Sequence, residues 1–206
     1  MATYSTTQQP TWNDRPVQAW EGYPLRTDIL ERIDERAVDF GDRHCRVMVM
    51  RYDLRFPQGS ERQDGNQCLQ KFINSFTAYF RNSGIDVHYV WVRESNSIGS
   101  HYHLLFFVDG RLTRRVEGHL REAERLWTSA LGLQPSEGQG LVYHCLDTDP
   151  SYAVHNGEMI ERGDTEKLNQ VFYWISYLAK ENTKDVGMPP WSKRFGCSRL
   201  MKQPSA

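Results

Sequence analysis

Val87-His88-Tyr89-Val90-Trp91-Val92, then Arg93-Glu94 and the polar run Ser95-Asn96-Ser97-Ile98-Gly99-Ser100, then His101-Tyr102-His103-Leu104-Leu105-Phe106-Phe107-Val108: the reading of this stretch decides the fold. The two flanking runs are short and rich in β-branched and aromatic residues, which predicts a strand over 87–92 and another over 101–108. Ser95 to Ser100, with Gly99, reads as the turn between them, and Asp109-Gly110 closes the second strand. Strands this close in sequence pair as a hairpin, so the sheet they nucleate is antiparallel.

Working outward, Cys45 to Phe56 alternates and is rich in Val and Met, which predicts a strand, and Leu141 to Leu146 predicts a short one. Apolar residues at helical spacing (Ile29, Leu30, Ile33, Ala37) predict a helix over Leu25–Phe40. Cys68–Phe80, closed by Asn82-Ser83-Gly84, Val116–Leu131 and Lys167–Lys180 predict three more. Pro57 to Gly65 reads as a loop, and the polar residues 147–166 give no assignment. The expected fold is therefore α+β, a central antiparallel sheet with flanking helices. Residues 1–24 lack a sustained period and read as a flexible N-terminal arm, followed by a domain over 25–200 and a tail over 201–206.

The chain has 206 residues, 39% hydrophobic and 12% aromatic, which suffices for one buried core. Its mean hydropathy of -0.66 and the lack of any long apolar run exclude a membrane-spanning protein. The polar start, without the charged and apolar parts of a secretory signal, reads as cytoplasmic. Cys45, Cys68, Cys145 and Cys197 have no Cys-x-x-Cys spacing and read as free thiols rather than a zinc knuckle. No Gly-x-x-x-x-Gly-Lys-Ser/Thr loop is present, so the chain carries no nucleotide-driven motor of that kind. The net charge is -1, yet from Lys180 onward Lys180, Lys184, Lys193, Arg194, Arg199 and Lys202 face only Glu181 and Asp185. That end is either a basic patch for phosphates or a solvated tail.

Side chains alternate along a strand, so His101 and His103 share a face, with Tyr102 and Leu104 on the other. Two imidazoles fixed side by side suit a metal, and a carboxylate is wanted beside them. Glu94, seven residues before His101, and Asp53, near the end of the first strand, are the candidates. An oxygen ligand points to Mg²⁺ or Mn²⁺. His144 reads as structural, and His44, His88, His119 and His155 as ordinary.

The last helix contains Val171-Phe172-Tyr173-Trp174-Ile175-Ser176-Tyr177-Leu178-Ala179-Lys180. At about 100° per residue, Tyr173, Tyr177 and Lys180 share a face, while Val171, Trp174, Ile175 and Leu178 form an apolar one. A phenol, with an ordinary pKa of about 10, needs help to attack phosphorus. A metal on the scissile phosphate and a lysine one turn along would give it.

These residues resemble the HUH endonuclease superfamily, whose His-hydrophobic-His motif reads His101-Tyr102-His103 here. Glu94 looks like the acid that supplies the third ligand in many replication initiators. Tyr173-x-x-x-Tyr177-x-x-Lys180 looks like the two-tyrosine motif of the A proteins of isometric single-stranded DNA phages. A closer likeness is to the YagK/YfjJ C-terminal domain family of prophages and filamentous phages. It is carried by Arg51–Arg55, His101–Leu105, Tyr173–Lys184 and Arg194–Arg199.

The resemblance implies an RRM-like palm with the histidines near mid-sheet, and a rolling-circle replication initiator. Its metal, on His101, His103 and Glu94, would clamp single-stranded DNA at a replication origin. Tyr177 would attack to leave a 5′-phosphotyrosyl link and a free 3′-OH, Tyr173 would make the second transfer, and Lys180 would contact phosphate. A host polymerase and a host helicase would complete the system. Lys184, Lys193, Arg194 and Arg199, with Trp191 and Phe195, have the mixture of charge and aromatics that single-stranded DNA readers use; Arg111, Arg114 and Arg115 have the charge. A transposase or mobilisation relaxase of the same fold, a non-enzymatic prophage DNA-binding module, and a small metallohydrolase unrelated to DNA are the alternatives.

Overall fold

The structure, a computed structural model, describes residues 4–59, 65–96, 99–113, 116–145, 154–182 and 191–200. Its frame is the expected α+β one. The long strands are β5 (Arg46–Arg55), β6 (Val87–Asn96) and β7 (Gly99–Asp109). Shorter ones are β8 (Val142–Tyr143), β9 (Glu158–Glu161) and β10 (Phe195–Cys197). Together they form one antiparallel sheet in the order β10-β6-β7-β5-β8, with β9 also on β5. The histidine strand β7 is therefore central.

Helices cover both faces: α1 (Thr27–Arg43), α2 (Gln67–Asn82), α3 (Val116–Leu131) and α4 (Thr165–Ser176). The alternation of the long strands explains the two cores. Met50, Tyr52, Tyr102, Leu104 and Phe106 point to one side, where Phe72, Phe76 and Phe80 of α2 and Trp127 of α3 close over them. Val49, Val92, Leu105 and Phe107 point to the other, against Ile29, Ile33 and Phe40 of α1 and Phe172 and Ile175 of α4. The α1/α4 face is also the face of His101 and His103.

The β6–β7 hairpin is tighter than the sequence suggests. Pairing runs on through Glu94↔His101, Ser95↔Ser100 and Asn96↔Gly99, so Ser95, Asn96, Gly99 and Ser100, expected in a turn over 95–100, belong to the strands. Ser95 and Ser100, which read as turn residues, bond to each other across the strands at 2.9 Å. Both lie on the Tyr102 face of the hairpin, where Arg93 Nη2 also donates to Ser100 Oγ at 3.3 Å, so the polarity there belongs to a paired strand end and not to a loop.

The arm expected over 1–24 is a correction. From Tyr4 onward the segment is packed: Val17 and Ala19 are buried among the apolar residues of α1 and α4. Strand pairs join Thr6–Thr7 (β1) to Leu25–Arg26 (β4) and Thr11–Trp12 (β2) to Arg15–Pro16 (β3). Between β2 and β3, Asn13 and Asp14 both have positive φ (47° and 62°), the backbone of a type I′ hairpin turn. Asn13 and Arg15 then both donate to Asp34 of α1, at 2.8 and 2.6 Å. With so few apolar residues, the segment is held by such single polar contacts.

The helix expected over 167–180 is a second correction. α4 begins at Thr165, with Asp164 accepting from the Lys167 N–H, and ends at Ser176; Tyr177–Ala179 form a 3-10 turn. The N-terminal segment explains the change. Gln18 lies over the end of α4, donating through Nε2 to the carbonyls of Tyr173 (2.9 Å) and Trp174 (3.2 Å). Its N–H donates to Ser176 Oγ at 2.9 Å. These contacts satisfy carbonyls that a helix end leaves open. Lys180 then forms a β-bridge with Leu25. Gln18→Leu, which removes two buried acceptors' partner, is expected to cost about 1–3 kcal/mol in denaturant unfolding.

No helix among the described residues is long and apolar enough to cross a membrane. The four cysteines are free thiols. Burial pushes the Cys145 thiol up to about 12, so it is inert at neutral pH.

Candidate metal centre with a tyrosine and a lysine

The strand register places the site. Glu94 on β6 lies directly opposite His101 on β7, and His103, two residues on, lies opposite Asp53 on β5. Cross-strand partners share a face, so all four side chains meet on the α1/α4 side, at the end of the sheet beyond the apolar packing. The ligand atoms of Glu94, His101 and His103 lie within 4.8 Å of one another. His103 Nε2 is 3.4 Å and His101 Nε2 is 3.7 Å from the same carboxylate oxygen, Glu94 Oε2.

A divalent metal fits these residues. His103 Nε2 is buried and has no hydrogen-bond partner among the described residues, an orphan that needs one. The other ring nitrogen, Nδ1, donates to Asp53 Oδ1 at 2.5 Å, which leaves the Nε2 lone pair facing Glu94 and His101. The structure thus separates the two candidate acids: Glu94 shares the cluster, and Asp53 stands behind His103 as its orienting carboxylate. Burial raises the Asp53 carboxyl, but the His103 hydrogen bond and the charges of His103, Arg51 and His101 outweigh it and hold Asp53 below the usual carboxylate range. Asp53→Asn is expected to lower Mn²⁺ affinity about 10–100-fold with the fold kept, as read by calorimetric titration.

Tyr177 and Lys180 arrive from the opposite layer. The Tyr177 ring meets the His103 ring edge-on, with centroids 6.0 Å apart. Lys180 Nζ donates to the Tyr177 phenol oxygen, lies 4.1 Å from the ring centroid and is 3.2 Å from Glu94 Oε2. The 3-10 turn and the β-bridge to Leu25 place both side chains here, three residues apart. Histidines from the central strand, an acid from its neighbour, and a tyrosine and lysine from another layer therefore converge at one point.

The YagK/YfjJ C-terminal domain matches residues 7–198. The chain belongs to that family. The match begins inside the N-terminal segment, and so takes in Gln18 and the rest of the scaffold around α4. No curated protein matches the chain. Among solved structures, the N-terminal nuclease domain of minute virus of mice non-structural protein 1 is similar at 16% identity and a TM-score of 0.27. The similarity covers 78% of this chain and 71% of that one; that domain is described as coordinating Zn²⁺ in its active-site pocket and recognising DNA at the origin of replication.

The other expected site residues are placed unevenly. Tyr173 lies a helical turn before Tyr177, about 6 Å along the axis, and is 38% exposed. Arg194 is beside the centre: its carbonyl accepts from the Arg93 N–H at 2.7 Å, next to Glu94. Lys193 is exposed, and its carbonyl accepts from Asn66 Nδ2 at 2.9 Å. Arg199 is not at the centre. β10 runs antiparallel to β6, and Ser198 bonds Tyr89, so Arg199 lies toward the far end of the strand, about 20 Å from Glu94. Arg111 is paired with Asp109 at 3.0 Å. Lys184, Arg114 and Arg115 lie outside the described residues. His144 bonds Glu124 at 2.8 Å, in keeping with a structural role.

Proposed function

We propose that this YagK/YfjJ family member nicks and rejoins single-stranded DNA through a covalent 5′-phosphotyrosyl intermediate on Tyr177, as a rolling-circle replication initiator. One observation carries the reading: Tyr177 and Lys180, from outside the sheet, stand against the Glu94–His101–His103 cluster. A structural metal site needs no phenol with a cation on its oxygen, and a lone tyrosine on a helix needs no metal.

Mg²⁺ or Mn²⁺, held by Glu94, His101 and His103, would supply a Lewis acid for the scissile phosphate. With two imidazoles in the set, Mn²⁺ suits it better than Mg²⁺. Asp53 keeps the His103 ring in one orientation and one tautomer. The phenol oxygen of Tyr177 attacks phosphorus; the Tyr177 O–P bond forms and the bond to the 3′ oxygen breaks. The phenolic proton leaves to solvent and the 3′ oxygen takes one up, so a free 3′-OH results. Lys180, already on the phenol oxygen, neutralises charge there. Because a phosphodiester is exchanged for a phosphodiester, resealing by the 3′-OH needs no nucleotide. Tyr173, more exposed and one turn away, would take the second transfer. The 3′-OH would serve a host polymerase, with strand separation left to a host helicase.

The reading is tested by incubating the protein with labelled single-stranded DNA tiled from its replicon, with Mn²⁺ or with EDTA. A denaturant-resistant protein–DNA band is expected only with the metal. DNA bound without such a band on any strand would leave a binding module instead.

A further inference from the structure

β5 presents one more cation to Tyr177. Arg51 and Asp53 alternate onto the same face, and the Arg51 guanidinium lies 4.9 Å from the Tyr177 ring centroid. Its Nη2 is 3.7 Å from Asp53 Oδ1, and the side chain is 12% exposed. The Tyr177 ring is therefore flanked by Arg51 as well as Lys180.

The backbone at Arg51 is fixed in an unusual way. On the outer edge of β5, β9 pairs with residues 46–49 and β8 with 53–54, leaving a gap at Arg51. The amide side chain of Asn156 fills it. Arg51 N–H donates to Asn156 Oδ1 and Asn156 Nδ2 donates to the Arg51 carbonyl, both at 2.8 Å. Asn156 is 2% exposed and also donates to the His144 carbonyl. A side chain thus takes the place of a strand residue at the position that carries the arginine.

We propose that Arg51 is a phosphate-binding residue of this centre, gripping a non-bridging oxygen of the scissile diester and of the phosphotyrosyl diester that forms on Tyr177. The inference rests on the strand-transfer reading above. Arg51 and Lys180 offset Asp53 and Glu94, so a bound divalent ion would leave the group with two net positive charges to meet the phosphate's single negative one. Arginine offers two parallel N–H donors to a phosphate, which fixes its orientation as well as its charge. Asn156 is a positioning residue, since it acts only through the Arg51 backbone.

The test uses the full chain, Mn²⁺ and a strand that the wild type cleaves, compared with the same strand carrying a neutral methylphosphonate at the scissile position. Arg51→Ala is expected to slow adduct formation on the natural strand about 100-fold, with Arg51→Lys intermediate. Mn²⁺ affinity and melting temperature should stay close to wild type. On the methylphosphonate strand, wild type and Arg51→Ala should differ little, because the charge that Arg51 meets is gone. Equal rates for Arg51→Ala and wild type on the natural strand would overturn the proposal while leaving the Tyr177 reading intact. So would an equal penalty on both strands, which marks a structural role. No adduct with wild-type protein on any strand would overturn both.

Discussion

Tyr177→Phe is expected to abolish the covalent DNA adduct and to lower strand cleavage by at least about 10⁴-fold, the scale on which removing a covalent nucleophile acts. The change removes one oxygen. The ring stays against His103 and under Arg51, so the fold and the metal site should be retained. The oxygen's partner, Lys180, keeps its contact with Glu94 at 3.2 Å. A single-turnover assay on a gel reads the result directly. Tyr173→Phe should leave the first cut intact and reduce only the rejoining of a second strand. If the two variants exchanged these phenotypes, the assignment of the first nucleophile would be reversed.

Glu94→Gln is expected to remove productive Mn²⁺ binding, by more than the roughly 100-fold that an orienting residue such as Asp53 controls. Glu94 is 1% exposed, and its Oε2 faces His101, His103 and Lys180 together. The amide keeps the shape but gives up the charge that three partners share. The consequence is visible in stability. With Mn²⁺ at about 100 times its Kd, the wild type should gain about 2.7 kcal/mol, or roughly 5–10 °C in Tm. Glu94→Gln should show almost no gain from the metal. A variant that still gained the full shift would mean that Glu94 is not a ligand.

Much of this could be read before the structure was in hand, for reasons that differ by element. The three long strands and the helices announce themselves through sustained alternation or helical spacing of apolar residues, as in Tyr102, Leu104 and Phe106 against His101 and His103. That one alternation gave both the core face and the metal face. The residues by themselves left Glu94 and Asp53 open and only the resemblance favoured Glu94, because both lie on strands next to β7 and the register tells which carboxylate meets both rings. The N-terminal segment was not legible. Its hold on the fold consists of isolated contacts, Gln18 on the end of α4 and Asp34 under the β2–β3 turn, which leave no period to detect. The Asn13-Asp14 pair, of residue types that tolerate positive φ, is a local turn signal in that segment. The end of α4 at Ser176 was hidden for the same reason. No helix breaker stands between Tyr173 and Lys180, and the change to a 3-10 turn is imposed by residues more than 150 positions away. Arg51 belongs to the Arg51–Arg55 stretch that carries the family likeness, but no role follows from its place on a strand, because only the fold brings it against Tyr177.

The measurement that bears most directly on the account is mass-spectrometric mapping of the adduct. Wild-type protein, Mn²⁺ and a cleavable single strand are combined, the DNA is digested to a short remnant, and the protein is cut into peptides. The account predicts a 5′-phosphorylated nucleotide remnant on Tyr177 alone after the first cut, absent with EDTA. A remnant on any other residue, or none with a strand that is nonetheless cleaved, would contradict it.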